Sequence, residues 1–253
     1  MSVGVDLTDK VAIVTGAAQG IGEATVRKLA ERGARVIGVD IVGDRLNAVM
    51  ASIGGKSVVH DVTDAAGDLR LIEDIQREFG RIDILVNVAG GVLDAGRGIE
   101  AVTIEQWRRV VALNMDAPFF LCKAVAPIMK AQRWGRIVSV GSGAGRSYSR
   151  TKVVPYAAAK AGLHGLMRQI AVELAPYGVN CNVVAPGFIL SERGRDDWER
   201  RDPAQKAKEM ATIASDRLGA PEEIANVIAF VASDESSYLV GQTIMVDGGH
   251  WMF

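Results

Sequence analysis

Short β-branched apolar runs alternate with longer amphipathic stretches along nearly the whole chain, and this alternation limits the fold more than any other feature. Strands buried on both faces read as continuous Val/Ile-rich runs, and parallel neighbours need a helical crossover between them. The runs at 11–15, 35–39, 56–60, 83–87, 136–140, 179–185 and 242–246 predict seven strands. Helices are predicted near 21–33, 43–53, 65–79, 104–133 with a break near Pro118, 155–176 and 222–232. The expected fold is α/β: a doubly wound, seven-stranded parallel sheet with helices on both faces.

Local signals agree with these boundaries. Thr103 and Gln106 have the spacing of a capping box, and Pro221 followed by Glu222 and Glu223 suits a helix start. No linker, repeat or low-complexity tract interrupts residues 1–253, which predicts a single domain. The outlier is 192–209, where Arg193, Arg195, Arg200, Arg201, Lys206 and Lys208 alternate with acids. It reads as an exposed insertion, part of a substrate lid over about 190–212.

Composition narrows the partners. In a chain of 253 residues, 29 Lys and Arg against 30 Asp and Glu give no general pull toward nucleic acid or an anionic membrane. Cys122 and Cys181 cannot make a disulfide framework, and with His60, His164 and His250 scattered, no zinc-site spacing occurs. No metal is expected. The first ten residues hold two aspartates and no basic leader region, and no apolar run is read as long enough for a membrane span. A cytoplasmic protein is the expectation.

The turn after the first strand reads Thr15-Gly16-Ala17-Ala18-Gln19-Gly20-Ile21-Gly22 and opens a helix. Glycines there permit a tight turn and let helix-terminal amides face a pyrophosphate, so Gly16, Gln19, Gly20 and Ile21 are candidate cofactor contacts. Asp40 ends the second strand, where a carboxylate receives ribose hydroxyls and repels a 2′-phosphate. With Gln19 before Gly20 and Ile41 after Asp40, no base is placed for that phosphate, and NAD is preferred over NADP. Asp61, Val62, Asn87, Ala89 and Gly90 also fall at the carboxyl ends of strands, where ligands of open α/β sheets collect.

Tyr156 and Lys160 stand four apart in an Ala-rich segment begun by Pro155. That spacing places phenol and ammonium on one helix face, so the cation can lower the phenol pKa toward a value useful for proton transfer. Tyr148 and Lys152 share the spacing, but Pro155 disfavours helical geometry at Val154 and leaves that earlier pair in a loop.

These motifs, with Asn114, Ser142 and Pro186-Gly187 in order, resemble the classical short-chain dehydrogenases/reductases over essentially the whole length. The resemblance implies a Rossmann-like fold, an NAD(P) hydride carrier, usual assembly as a homotetramer, and a catalytic tetrad of Asn114, Ser142, Tyr156 and Lys160. Tyr156 would be the acid/base, and Lys160 would tune it and hold the nicotinamide ribose. Ser142 would bond the substrate oxygen, and Asn114 would hold a proton-relaying water. Pro186, Gly187, Ile189 and Ser191 match the family's nicotinamide loop. Val88 stands where a second Asn is common, and Gly141 where a Ser is frequent. Ser142 lies 14 positions before Tyr156, one more than is commonest, with Gly143 at the common spacing and Ser139, Ser147 and Ser149 nearby.

The expected activity is NAD-dependent interconversion of a secondary alcohol and a ketone, with oxidation favoured because cellular NAD is kept mostly oxidised. The close alternative is a 3-oxoacyl-thioester reductase, whose usual NADPH preference Asp40 and Gln19 oppose. From another class, a noncatalytic dinucleotide-binding regulator or scaffold would keep the fold, although it would not need an intact tetrad. Arg146, Arg150, Lys152 and the basic lid raise the possibility of an anionic substrate. The apolar tail Trp251-Met252-Phe253 is expected at a subunit interface, with packing in its own subunit as the alternative.

Overall fold

The computed structural model describes residues 5–95, 98–149 and 152–252, with the backbone alone for Arg193, Asp196 and Asp197. Seven strands, β1 (Val11–Thr15), β2 (Arg35–Asp40), β3 (Lys56–Val59), β4 (Ile84–Asn87), β5 (Gly135–Val140), β6 (Val179–Pro186) and β7 (Thr243–Val246), form one sheet in the order 3-2-1-4-5-6-7. All neighbours are parallel. The order reverses between β1 and β4, the switch point where an open α/β sheet leaves a crevice beyond its strand ends.

The crossovers are α1 (Gly20–Glu31), α2 (Gly43–Ser52), α3 (Ala65–Phe79), α4 (Ile104–Val111), α5 (Ala117–Gln132), α6 (Val154–Leu174) and α9 (Pro221–Val231). Alternating strand residues feed two cores. Val11 and Ile13 of β1 join the core beneath α3, α5 and α6, while Ala12 and Val14 join that beneath α1, α2 and α9. Thr103 and Gln106 form the full capping box at the start of α4.

The segment 190–212, for which the sequence predicts no helix, holds two, α7 (Glu192–Arg200) and α8 (Pro203–Met210). The expected break near Pro118 is absent. A π-helical turn, Ala112–Asp116, joins α4 to α5 in one rod, and Pro118 follows directly on it, where the π turn already interrupts the i→i−4 bonds that its missing N–H would break. That rod, Ile104–Gln132, is by length and a mean hydropathy of 1.3 apolar enough to cross a membrane, contrary to the reading of the sequence. In the fold it packs against α3 and α6.

Candidate active site

The turn from β1 into α1 is fixed by backbone contacts that exclude side chains. Gly16 has φ +68°, and a Cβ there would lie 2.9 Å from the Ala89 amide nitrogen. A Cβ on Gly22 would overlap the Gly16 carbonyl. Gly20 has φ +58° and begins α1, and Gln19 before it is extended with no side-chain cap. The first-turn amides of α1 therefore lack a side-chain acceptor at the positive end of the helix, as anion binding requires. The Thr15 hydroxyl, absent from the sequence-derived set, accepts from both Val88 N and Ala89 N at 3.1 Å and ties the ends of β1 and β4 together.

Asp40 is held on both oxygens: Ala18 N donates to Oδ2 and Val42 N to Oδ1, each at 3.0 Å. The carboxylate is thus fixed beside the glycine turn, with acceptor capacity left for hydroxyl donors. Asp61 closes a local turn with Thr63, and Val62 is buried. Asn87 turns into the core, where its Nδ2 donates to the Ser139 hydroxyl at 3.1 Å, so its side chain faces away from the crevice.

Across the switch point, α6 carries Tyr156 and Lys160. Ser142 and Tyr156 line the same cavity, where the serine hydroxyl acts to lower the phenol pKa, and Ser142 Oγ accepts from Ala144 N at 3.2 Å. Among the serines near the common spacing, Ser139 is committed to the core, whereas Ser142 shares the cavity with the tyrosine. Lys160 Nζ donates to the Val140 carbonyl at 2.8 Å and lies 5.7 Å from the Tyr156 ring centroid. Burial lowers the Lys160 pKa to about 8. Burial also raises that of Tyr156, opposed by the Ser142 hydroxyl. Lys160 is itself desolvated and turned toward Val140, so burial is the larger influence on the phenol.

Asn114 sits in the π turn, fully buried. Its Nδ2 donates to Gly91 O at 2.9 Å and Val110 O at 2.8 Å, and its Oδ1 accepts from Gly91 N at 3.0 Å. A Cβ on Gly90 would come within 2.8 Å of Asn114 Oδ1 and 3.3 Å of Lys160 Nζ, so the bare backbone lets both groups approach. The glycines flanking Ser142 have matching reasons. A side chain at 141 would strike the buried His164 ring, and one at 143 would overlap the Trp251 indole.

The strand β6 ends in Pro186-Gly187, and Gly187 N bonds Val246 O at 3.1 Å. Ile189 bridges to Gly219, and Ser191 caps α7 through Gly194 N. Ser191 closes on the glycine turn, its Cβ 3.4 Å from where one on Gly20 would stand. Arg45 of α2, also missed from the sequence, donates to Ala18 O at 2.8 Å and pairs with Glu192 of α7 and Glu23 of α1. This cation links α7 to the glycine turn.

A cavity of about 240 Å³ opens at Ser142 and Tyr156. Arg146 and Lys152 do not line it, and Arg150 lies outside the described residues, as does Phe253. Lid charges find internal partners: Arg201 pairs with Glu209 at 2.8 Å, and Lys206 donates to Glu199 O at 2.8 Å. Trp251 packs on Gly143 of its own subunit, while Met252 is exposed.

Residues 16–250 match a family model described as enoyl-(acyl carrier protein) reductase. The 3-oxoacyl-[acyl-carrier-protein] reductase FabG of Escherichia coli is 41% identical over 248 residues, covering 96% of this chain and 98% of that protein. The chain belongs to the short-chain dehydrogenases/reductases. Another relative, galactitol 2-dehydrogenase of Agrobacterium fabrum, is 37% identical over 97% of this chain and 99% of its own length. The crystal structure of gox2181 superposes with a TM-score of 0.92 at 37% identity, covering 97% of this chain and 96% of that one. The dehydrogenase/reductase fold is thus shown along with the family, and the chain is an oxidoreductase acting on CH–OH groups with a nicotinamide dinucleotide.

Proposed function

We propose that this short-chain dehydrogenase/reductase uses NAD to interconvert a secondary alcohol and a ketone, with Tyr156 as acid/base. The observation that carries this is that Ser142 and Tyr156 line one cavity, with Lys160 one turn further along α6, its Nζ 5.7 Å from the tyrosine ring centroid. The glycine turn, which a Cβ would fill, and Asp40 beside it fit a dinucleotide whose ribose hydroxyls are free of phosphate. Gly16, Gln19, Gly20 and Ile21 would hold its pyrophosphate, Asp61 and Val62 its adenine side, and Ala89 and Gly90 the middle of the crevice. The backbone at Asn87, Pro186, Gly187, Ile189 and Ser191 completes the site. Bound there, the nicotinamide supplies or accepts the hydride.

In alcohol oxidation, ionised Tyr156 takes the hydroxyl proton while Ser142 steadies the oxygen as its charge changes. Lys160 holds the ribose and passes the proton outward. Asn114 spends both Nδ2 hydrogens on carbonyls, so it serves this path only as an acceptor. The segment 190–212 acts as the lid of a single domain, and the enzyme works as a cytoplasmic homotetramer.

A second reading, reduction of a 3-oxoacyl thioester, is favoured by the FabG relatives, and the family model's description shares with it the acyl-carrier thioester though not the reacting group. One experiment separates the two: nicotinamide absorbance followed with NAD(H) and NADP(H) on secondary alcohols, ketones and 3-oxoacyl thioesters, with Tyr156→Phe as control. Tyr156-dependent turnover of simple alcohols with NAD supports the first reading. Turnover confined to thioesters and NADPH replaces it with the second. Dinucleotide binding without any turnover leaves the noncatalytic regulator.

A further inference from the structure

The wall of the cavity facing Ser142 is built by a side chain from the far end of the chain. The Trp251 indole occupies the space a Cβ on Gly143 would need. It is pinned there: Trp251 N donates to Asp247 Oδ2 at 2.9 Å, and its ring meets His250 edge-on at 4.0 Å between centroids. His250 in turn stacks edge-on with Phe188 at 5.1 Å, and its Nδ1 contacts both the hydroxyl and the carbonyl oxygen of Thr212 at 3.0 Å. The tail is thereby fastened both to the nicotinamide loop and to the base of the lid.

Besides Tyr156, three rings, Tyr148, Phe188 and Trp251, line the cavity together with Val92, Ser142 and Ser149. Among the described residues lining the cavity, none carries a charge. An anion placed inside would lose hydration without a counter-ion, which disfavours a carboxylate next to the reacting carbon. An apolar cavity of roughly 150 Å³ accepts a benzene ring, so a cavity of about 240 Å³ that Pro186 and Gly187 share with the nicotinamide suits a substrate of no more than one ring.

Resting on the alcohol/ketone reading, we propose that the substrate is an uncharged cyclic secondary alcohol or its ketone, and that Trp251 determines that specificity. The ring lies against the aromatic wall, and its oxygen meets Ser142 and Tyr156. Gly143 is part of the same device, because only a residue without Cβ admits the indole.

The test uses the full chain with NAD on cyclohexanol, 1-phenylethanol, the open-chain 2-hexanol, 3-hydroxybutyrate and a 3-hydroxybutanoyl thioester. The wild type should favour the ring alcohols over 2-hexanol by about tenfold in kcat/KM, the scale of one aromatic contact. Trp251→Ala should erase that preference mainly through KM, and Trp251→Phe should restore much of it. Gly143→Ala, which displaces the indole without removing it, should reproduce the loss. A ring-to-chain ratio near one in the wild type, or unchanged by Trp251→Ala, overturns the inference and leaves the dehydrogenase reading intact. Best activity on the thioester or on 3-hydroxybutyrate also overturns it, whereas no Tyr156-dependent turnover of any compound overturns the underlying reading.

Discussion

The dinucleotide half of the crevice and the substrate half are built on different principles. Around β1 and β4 the shape is set by backbone: Gly16, Gly22 and Gly90 leave no room for a Cβ, and amides hold Asp40 from two sides. Around the cavity the shape is set by side chains from the segment between β5 and α6, the β6 loop and the tail, with α7 tied to α2 by Arg45 and Glu192. Backbone geometry depends on residue type at a fixed local spacing, so it accepts one solution. Side-chain walls can be rebuilt residue by residue, which lets one cofactor frame serve many substrates.

The largest effect expected tests where the halves meet. Tyr156→Phe should lower kcat by about 10²- to 10⁴-fold with dinucleotide affinity retained. In the wild type, oxidation should rise with alkaline pH, because burial raises the phenol pKa and the ionised form is the base; the pH–rate profile of the variant should lose that limb. If NAD affinity fell as far as kcat, the two halves would not be separable.

Asp40→Ala tests whether the cofactor half discriminates by charge. Losing hydrogen bonds to a carboxylate, worth about 1.5–3 kcal/mol, should cost roughly 10- to 150-fold in kcat/KM for NAD while NADP gains. Unchanged preference in paired kinetics would remove Asp40 as the discriminating group.

Lys160 links function to stability. Its folded pKa of about 8 lies below the ordinary lysine value of 10.5, so between these limits the unfolded chain binds more protons and stability climbs as pH rises. The climb should reach about 3 kcal/mol relative to Lys160→Met, measured by urea unfolding from pH 8 to 10.5. Parallel curves for the two proteins would show that the buried ammonium is not destabilising.

The smallest effect belongs to the strap between the halves. Glu192→Gln removes an ion pair whose partners are partly exposed, so NADH release in stopped flow should quicken by no more than about fivefold and lose its salt dependence. No change in either quantity would leave the lid held by Ser191 and the Ile189–Gly219 bridge alone.

The contrast between the halves also explains what was legible in the sequence. Each strand prediction lies within one residue of the observed boundary, because apolar β-branched runs and their turns are local signals. The order of the sheet follows from the crossovers. The lid helices escaped because α7, ERGRDDWER, has one apolar residue in nine and so no stripe to reveal its period. Gly143 looked like a serine displaced from its usual place. Its reason, the indole of Trp251, is a contact between distant parts of the chain that spacing rules cannot see. Asn87 matched a motif in position, yet alternation along β4 sends its side chain into the core. Tyr156 and Lys160 were found by their spacing, but their pKa directions depend on burial, which the spacing does not encode.

The π turn that presents Asn114 is an accident of counting that the active site depends on. One extra residue in that turn puts the two ends of the Ile104–Gln132 rod out of phase by about 100°. Removing Ala112, Leu113 or Met115 would leave composition, charge and hydrophobic pattern almost untouched and produce a smoother helix. It would also rotate Asn114 off Gly91. The rod is therefore a place where an in-frame deletion of a single codon should be far more damaging than most substitutions in the same segment, and where a regularised, more ideal helix would make a worse enzyme.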